Sequence, residues 1–358
     1  MALERRPAGG VRNTVHDDQD LLNPEVEVEA EPVPDSVLRV RRLIVGFQFP
    51  EGLVDVVNGV DLRIDRSETL AVIGESGSGK SVTAAAIMGI LPSPPARIKA
   101  EAITVDGKNL LTLSRSKRRR MRGREMSLVL QDSLASLNPV KTVGSQIAEM
   151  FTTHLGTSRR DAKDRAVELL DRVGIASPRA RFDRYPHEYS GGMRQRAMIA
   201  MGIALGPTLL IADEPTTALD VTVQAQIIEL LAELQATTSM AIMLITHNIA
   251  VASAVTHRIA VMYAGRIVES GPTQEVLRDP AHPYTAGLID SIPRASASKL
   301  QSIPGEIPDP AHLPQGCVFH PRCPLAIDRC RAEPPPNIVV SPGRYSACYR
   351  YMDVLDLG

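Results

Sequence analysis

Thr69-Leu-Ala-Val-Ile-Gly74-Glu75-Ser76-Gly77-Ser78-Gly79-Lys80-Ser81 is an apolar run that passes directly into the pattern G-x-x-x-x-G-K-S. The residues that follow, Val82 to Ile90, read as a helix. A strand, a glycine-rich loop and a helix in this order form a phosphate-binding loop. The spacing has a chemical reason. Glycines let the backbone approach an anion, and the amides at the helix start point toward it. Lys80 is placed to reach the β- and γ-phosphates of ATP, and the Ser81 hydroxyl to reach Mg²⁺.

A second apolar run, Thr208-Leu-Leu-Ile-Ala-Asp213-Glu214, ends in two carboxylates. In phosphate-loop enzymes an Asp at such a strand end holds Mg²⁺. Glu214, one residue on, is placed to activate the attacking water as general base. Alone, this run also reads as a buried strand with a helix-capping acid. Beside a phosphate loop it reads as the rest of a nucleotide site.

Between these segments lies Tyr189-Ser190-Gly191-Gly192-Met193-Arg194-Gln195-Arg196, with Ser190 as N-cap of a helix running to Leu205. Such an N-terminus is another anion site. The chain has one phosphate loop, so this site makes sense if it serves a nucleotide bound to a different subunit. The stretch resembles the signature motif of ABC ATPases, with Tyr189 where a leucine is usual. Other family features fall in order. Gln131 resembles the Q-loop glutamine that senses Mg²⁺ and γ-phosphate, Ala218-Leu219-Asp220 the D-loop, and His247 the switch histidine. Phe47 resembles the aromatic that stacks on adenine, with Phe49 as its rival. The resemblance spans roughly residues 38 to 271. It implies an α/β fold, a P-loop NTPase of ABC type, with a mainly parallel sheet core, a helical subdomain and an antiparallel β portion.

The pattern along the chain agrees. Short β-rich runs at Leu70 to Ile73, Ser127 to Leu130, Leu209 to Ala212, Ala241 to Ile245 and Arg258 to Met262 alternate with helical patterns such as Asp161 to Val173 and Val221 to Leu234. Alternation of this kind predicts a mostly parallel sheet covered by helices. Residues 1–36 carry nine acidic residues against three arginines, and read as a disordered acidic arm. Residues 37–279 are the ATPase domain, with a helical insertion at about 139–189, and 280–358 form a small, loop-rich module holding all four cysteines. The basic run Arg115 to Arg124 reads as a solvated surface.

Bulk properties exclude several classes. A net charge of -1 and an aromatic content of 3% without Trp argue against nucleic-acid binding. No apolar stretch approaches the roughly 20 residues that span a bilayer, and the polar start Met1 to Asp20 lacks a signal-peptide core. The chain is therefore expected to stay in the cytoplasm, and the resemblance to ABC ATPases implies a peripheral place on the cytoplasmic face of the inner membrane.

The cysteines follow Cys317-x5-Cys323-x6-Cys330-x17-Cys348. A reducing compartment favours a metal or cluster over disulfides, and the spacing alone does not choose zinc over iron–sulfur. His282-Pro-Tyr-Thr, Ile303-Pro-Gly-Glu and Gly316-Cys317-Val-Phe-His-Pro-Arg322-Cys323-Pro resemble the C-terminal module of dipeptide, oligopeptide and nickel importer ATPases. That resemblance implies a 4Fe-4S cluster on Cys317, Cys323, Cys330 and Cys348.

The family implies a motor for import, with peptides favoured over nickel or another small solute as cargo. It also implies a second ATPase subunit, a paralogue rather than an identical copy, two membrane permeases and an external solute-binding protein. A soluble ABC ATPase acting on ribosomes or DNA is the rival reading. Against it stand the single cassette, the near-neutral charge, and the short interval of 110 residues between Lys80 and Ser190, which holds no heptad run. A cassette that only binds ATP as a clamp would not need Lys80, Asp213, Glu214 and His247 together.

Overall fold

The computed structural model describes residues 35–132, 136–217, 219–292 and 303–356. The expected acidic arm, apart from its last two residues, lies outside the described residues, as does Ala218 of the expected D-loop.

Two sheets organise the chain. The first is antiparallel. Strands β1 (Ser36–Phe49) and β2 (Gly52–Asp65) make a long hairpin, and β4 (Ala96–Lys99), β5 (Ala102–Val105) and β6 (Lys108–Asn109) complete the sheet around β1. The second sheet contains β3 (Thr69–Ile73), β7 (Met126–Val129), β8 (Leu209–Asp213), β9 (Ala241–Thr246), β10 (Arg258–Tyr263), β11 (Arg266–Pro272), β12 (Ile338–Ser341) and β13 (Arg344–Ser346). Its order is β12-β13-β11-β10-β3-β9-β8-β7. From β10 to β7 every neighbouring pair is parallel. The remaining pairs are antiparallel.

The central strands are buried on both faces, which is why they read as unbroken apolar runs. Alternation along each strand then divides the cores. Leu70, Val72, Leu209 and Ile211 pack with the antiparallel sheet and with helix α1 (Lys80–Met88). Leu210 and Ala212 face the other way, toward a helical layer. Ala71, Ile73 and Tyr263 meet Tyr284 and Phe319 from the end of the chain.

Helix α2 (Arg115–Met121) carries the basic run; Ser114 caps it, and of its residues only Met121 is buried. The segment expected to be a helical insertion holds α3 (Val143–Leu155), α4 (Arg159–Arg172) and α5 (Pro178–Phe182). Thr142 and Ser158 cap the first two through their side-chain oxygens. Ile147, Phe151, Ala166, Leu170 and Phe182 bury one common face. Beyond it come α6 (Gly191–Ile203), α7 (Val221–Thr238) and α8 (Ile249–Val255), and then α9 (Thr273–Arg278) and α10 (Pro283–Asp290).

The cysteine-bearing end is joined to the ATPase part through the large sheet. Strands β12 and β13 extend the large sheet through β11, and the described residues form one compact unit. A buried ion pair fastens this edge. Arg344 Nη2 lies 2.9 Å from Glu269 Oε1, with side-chain exposures of 5% and 0%. The same carboxylate oxygen accepts from the Ala281 amide at 2.9 Å. Removing one member of such a pair would leave the other charge uncompensated.

His282 sits at this junction, fully buried, as the N-cap of α10. Its Nδ1 accepts from the Tyr284 amide at 3.0 Å. Burial pushes its pKa down to about 3 from the ordinary 6.5. Below pH 6.5 the unfolded chain therefore binds a proton that the folded chain does not. Stability from this group is fully present above that pH and is lost as pH falls toward 3. The expected slope is at most about 1.4 kcal/mol per pH unit. His282→Asn keeps a capping acceptor and removes the titration, so its unfolding temperature should fall less than wild type's between about pH 7 and about pH 5. Equal slopes in the two melting series would contradict this.

Candidate functional site

The carboxyl ends of adjacent parallel strands are where open α/β sheets place their ligands. Here β3, β9 and β8 lie side by side, and the phosphate loop, His247 and the Asp213–Glu214 pair follow their ends. Gly74, Gly77 and Gly79 all have positive φ, at 152°, 81° and 103°. At Gly74 a Cβ would stand 2.1 Å from the Met262 carbonyl oxygen, so the tight passage out of β3 requires glycine. Ser76 and Gly77 form the exposed crest of the loop, and Ser78 is buried beneath it.

Lys80 is buried at the start of α1. Its Nζ donates to the carbonyls of Gly74 and Glu75, both at 2.8 Å, and approaches Ser78 Oγ at 3.4 Å. Burial pulls the lysine pKa down, while the fields of Glu214, Asp213 and Glu75 oppose that. The ammonium thus rests on carbonyls that a phosphate oxygen could replace. Ser81 Oγ donates to Asp213 Oδ1 at 3.0 Å. Burial raises the Asp213 pKa, with Glu214 adding to the rise and Ser81 and Lys80 opposing it.

Glu214 adopts φ 45°, outside the usual range for its type. Its amide donates to the Ile245 carbonyl at 2.9 Å. That bond across to β9 holds the side chain near the strand ends. Glu214 Oε2 accepts from Thr217 Oγ1 at 2.8 Å and lies 3.3 Å from His247 Nδ1. His247 itself is well exposed. Lys80, Ser81, Asp213, Glu214 and His247 are therefore brought into one group. Thr217 belongs with them and was not singled out by any motif.

Ser190 builds a second group. It caps α6 by accepting from the Met193 amide at 3.3 Å and is itself exposed. Asp220 caps α7, its Oδ1 accepting from Val223 at 3.0 Å. The two helix starts meet at Gly192, where a Cβ would lie 2.6 Å from Val223 Cγ1, and Leu219 lies over Gly191. The glycines, with no side chains of their own, therefore let the α6 N-terminus lie close to α7.

Gln131 is exposed just past the end of β7. Phe47 is half-buried in β1, opposite Val54 and Ala96, and packs on the core. Phe49 is 48% exposed near the hairpin tip.

Cys317 and Cys323 are half-buried, Cys330 and Cys348 are buried, and all four are free thiols. All four line one small cavity together with His282 and Phe319. Burial raises the thiol pKa of Cys317, that of Cys323 to about 11 and that of Cys348 to about 12. These are not activated nucleophiles. Among the described residues, no three His, Cys, Asp or Glu side chains are grouped to hold a single metal ion.

Sequence reasoning gave no role to Arg322. Its guanidinium makes a two-pronged ion pair with Glu75 of the phosphate loop, Nη1 to Oε2 at 2.8 Å and Nη2 to Oε1 at 3.1 Å. The Glu75 amide donates to Tyr284 Oη at 2.9 Å. With its carbonyl taken by Lys80, Glu75 has its amide, carbonyl and carboxylate all engaged by protein groups.

A phosphate loop, an Asp–Glu pair at a neighbouring strand end and a separate exposed helix start define an ABC-type ATPase cassette. The comparisons agree. The sequence profile of the ABC transporter family matches residues 57–217, and that of the oligopeptide/dipeptide transporter C-terminal region matches residues 268–330. The chain is 46% identical to the dipeptide transport ATP-binding protein DppD of Escherichia coli, over 89% of this chain and 98% of that protein. It is 47% identical to the oligopeptide transport ATP-binding protein OppD of Bacillus subtilis, over 86% of this chain and 87% of that one. Among solved structures, cbiO1 from Clostridium perfringens, part of an ABC transporter complex, superimposes with a TM-score of 0.58 at 27% identity, covering 68% of this chain and 92% of that one. A dimeric ATP-binding cassette bound to ADP and Pi shares the fold with a TM-score of 0.59 at 23% identity, covering 66% and 98%. The chain belongs to the ABC transporter family, among the ATP-binding subunits of peptide importers. Among the described residues no helix is long and apolar enough to cross a membrane.

Proposed function

We propose that this chain hydrolyses ATP to drive import of di- or oligopeptides, from the cytoplasmic face of the membrane. The observation that carries the peptide assignment is the fused C-terminal region, of which residues 268–330 match the oligopeptide/dipeptide transporter profile and the later strands β12 and β13 join the sheet of the cassette. In this reading the chain pairs head to tail with a second, paralogous cassette. The pair docks on two permease subunits, and a solute-binding protein outside supplies the cargo. The start of α6, with Ser190 exposed and Gly191 and Gly192 half-buried, would contact the ATP held on the partner's phosphate loop. Asp220, packed beside it, would lie on the same contact surface.

In each cassette the loop from Gly74 to Ser81 cradles the phosphates through its amides other than that of Glu75, which Tyr284 holds, and Lys80 pairs with the β- and γ-phosphates. Phe47 stacks on the adenine, and Gln131 links the site to the helical layer. Ser81, Gln131 and Asp213 suit Mg²⁺, because they offer hard oxygen donors and Ser81 and Asp213 already meet at 3.0 Å. When bound, the ion neutralises phosphate charge. Glu214 takes a proton from the attacking water, and His247, 3.3 Å away, steadies the carboxylate and faces the γ-phosphate.

The four cysteines suit a 4Fe-4S cluster, in which each iron takes one thiolate. What supports this is that all four line one cavity; among the described residues they are not drawn together as a ready metal site. Such a cluster would staple the end of the chain. Anaerobically purified protein is expected to contain about four irons and four sulfides per chain. Zinc alone, or no metal, would reject the cluster.

Phosphate release by the assembled transporter tests the cargo. The binding protein loaded with peptide should raise the rate above that with empty binding protein. Stimulation by nickel and none by peptide would favour the alternative of a small-solute importer.

A further inference from the structure

The phosphate loop contains a carboxylate that its anionic ligand does not want. Glu75 follows Gly74 directly, and its field reaches Lys80 along with those of Asp213 and Glu214. The fields of three acidic groups therefore act on one loop lysine in a site for a triphosphate. Arg322, far away in sequence, answers this. It binds the Glu75 carboxylate with both prongs, and its side chain is only 5% exposed.

Arg322 has little freedom to do anything else. Its Nε donates to the Pro304 carbonyl at 2.8 Å, and its Nη2 also reaches the Ile303 carbonyl at 3.3 Å. The guanidinium lies over the Tyr263 ring, 5.8 Å from its centre. Tyr263 packs against Tyr284 and Phe319, and Tyr284 is the residue that accepts from the Glu75 amide. The short turn His320–Arg322 is bracketed by Cys317 and Cys323. Backbone bonds from His320 to Cys317 and from Cys323 to His320 hold it there. The fused C-terminal segment thus grips the second residue of the loop, Glu75, at its amide and its carboxylate.

We propose that Arg322 is a positioning residue for ATP: by cancelling the Glu75 charge and fixing the loop entrance, the C-terminal segment completes the nucleotide site of the cassette. This rests on ATP binding at the phosphate loop. The role is electrostatic as well as geometric, which separates it from simple packing. With Arg322 gone, the Glu75 carboxylate is left uncompensated within the phosphate loop. With both charges gone, the repulsion goes too.

The test uses the full-length chain in its assembled complex, reading ATP dissociation constants and steady-state KM and kcat. R322M is expected to weaken ATP binding and raise KM by about tenfold or more, with kcat within about threefold of wild type. Adding E75Q to R322M should restore the dissociation constant to within about threefold of wild type. R322K, which keeps the charge and loses the fork, should fall between. The proposal is overturned if R322M binds ATP like wild type, or if the double variant stays as weak as R322M. Should R322M not fold, E75Q alone decides: binding as tight as wild type or tighter supports charge cancellation, and binding about tenfold weaker overturns it. Wild-type protein that binds no ATP would instead reject the nucleotide site itself.

Discussion

Glu214→Gln is expected to lower ATP turnover by about 10²- to 10⁴-fold while leaving the ATP dissociation constant within about threefold of wild type. Glutamine preserves the size of the side chain and an oxygen that can still accept from Thr217, which lies 2.8 Å from Glu214 Oε2. What it removes is the capacity to take a proton from water. The positive φ of this residue and its amide bond to Ile245 belong to the backbone, so the substitution leaves the local frame in place. A loss confined to kcat therefore reports chemistry and not folding. The variant should also accumulate the ATP-bound, paired state with its partner cassette, seen as nucleotide-dependent association in sedimentation. Turnover equal to wild type would mean that another group acts as the base, or that the cassette only clamps ATP.

Lys80→Ala should act one step earlier, on binding. The ammonium is buried and rests on two loop carbonyls and a serine hydroxyl, all of which it would leave for phosphate oxygens. Loss of a buried charged partner of this kind costs about 2–5 kcal/mol, so ATP affinity should fall by about 30-fold to 1,000-fold or more. Binding by a fluorescent ATP analogue measures this directly, with a melting curve to confirm that the loop glycines still support the fold. Affinity within about threefold of wild type would remove Lys80 from the phosphate site.

These two predictions rest on the part of the molecule that was legible in the sequence. The phosphate loop and the Asp213–Glu214 run are local patterns, and each occupies one strand end with its next few residues. The central strands are legible for the same reason, since burial on both faces leaves a continuous apolar run in β3, β8 and β9. The long hairpin of β1 and β2 is harder to read. Its register shifts between Val40 and Leu43 and again near Gly46, so the alternation of inward and outward residues changes phase. Strands β12 and β13 are short, and their place beside β11 depends on pairing with residues some 75 positions away, as for Arg344 and Glu269.

The candidate site divides in the same way. Ser190 and Asp220 look like helix caps in sequence, and they are caps in the structure. Their closeness comes from Gly192 against Val223, a contact across two helices that no motif states. Thr217 joins Glu214 through a turn whose shape depends on the left-handed backbone of Glu214. Glu75 and Arg322 are separated by 247 residues. No periodicity or spacing rule joins an acid in a loop to an arginine beside a cysteine. The packing of Tyr263, Tyr284 and Phe319 brings them together, and that packing exists only once the C-terminal segment has docked.

Uptake of a labelled oligopeptide by the transporter reconstituted in proteoliposomes, with ATP and Mg²⁺ on the side of the cassettes, tests the central claim most directly. The account predicts accumulation that requires ATP and is lost with Lys80→Ala in this chain. ATP hydrolysis that proceeds at the same rate with and without peptide, and with no peptide accumulated, would contradict it.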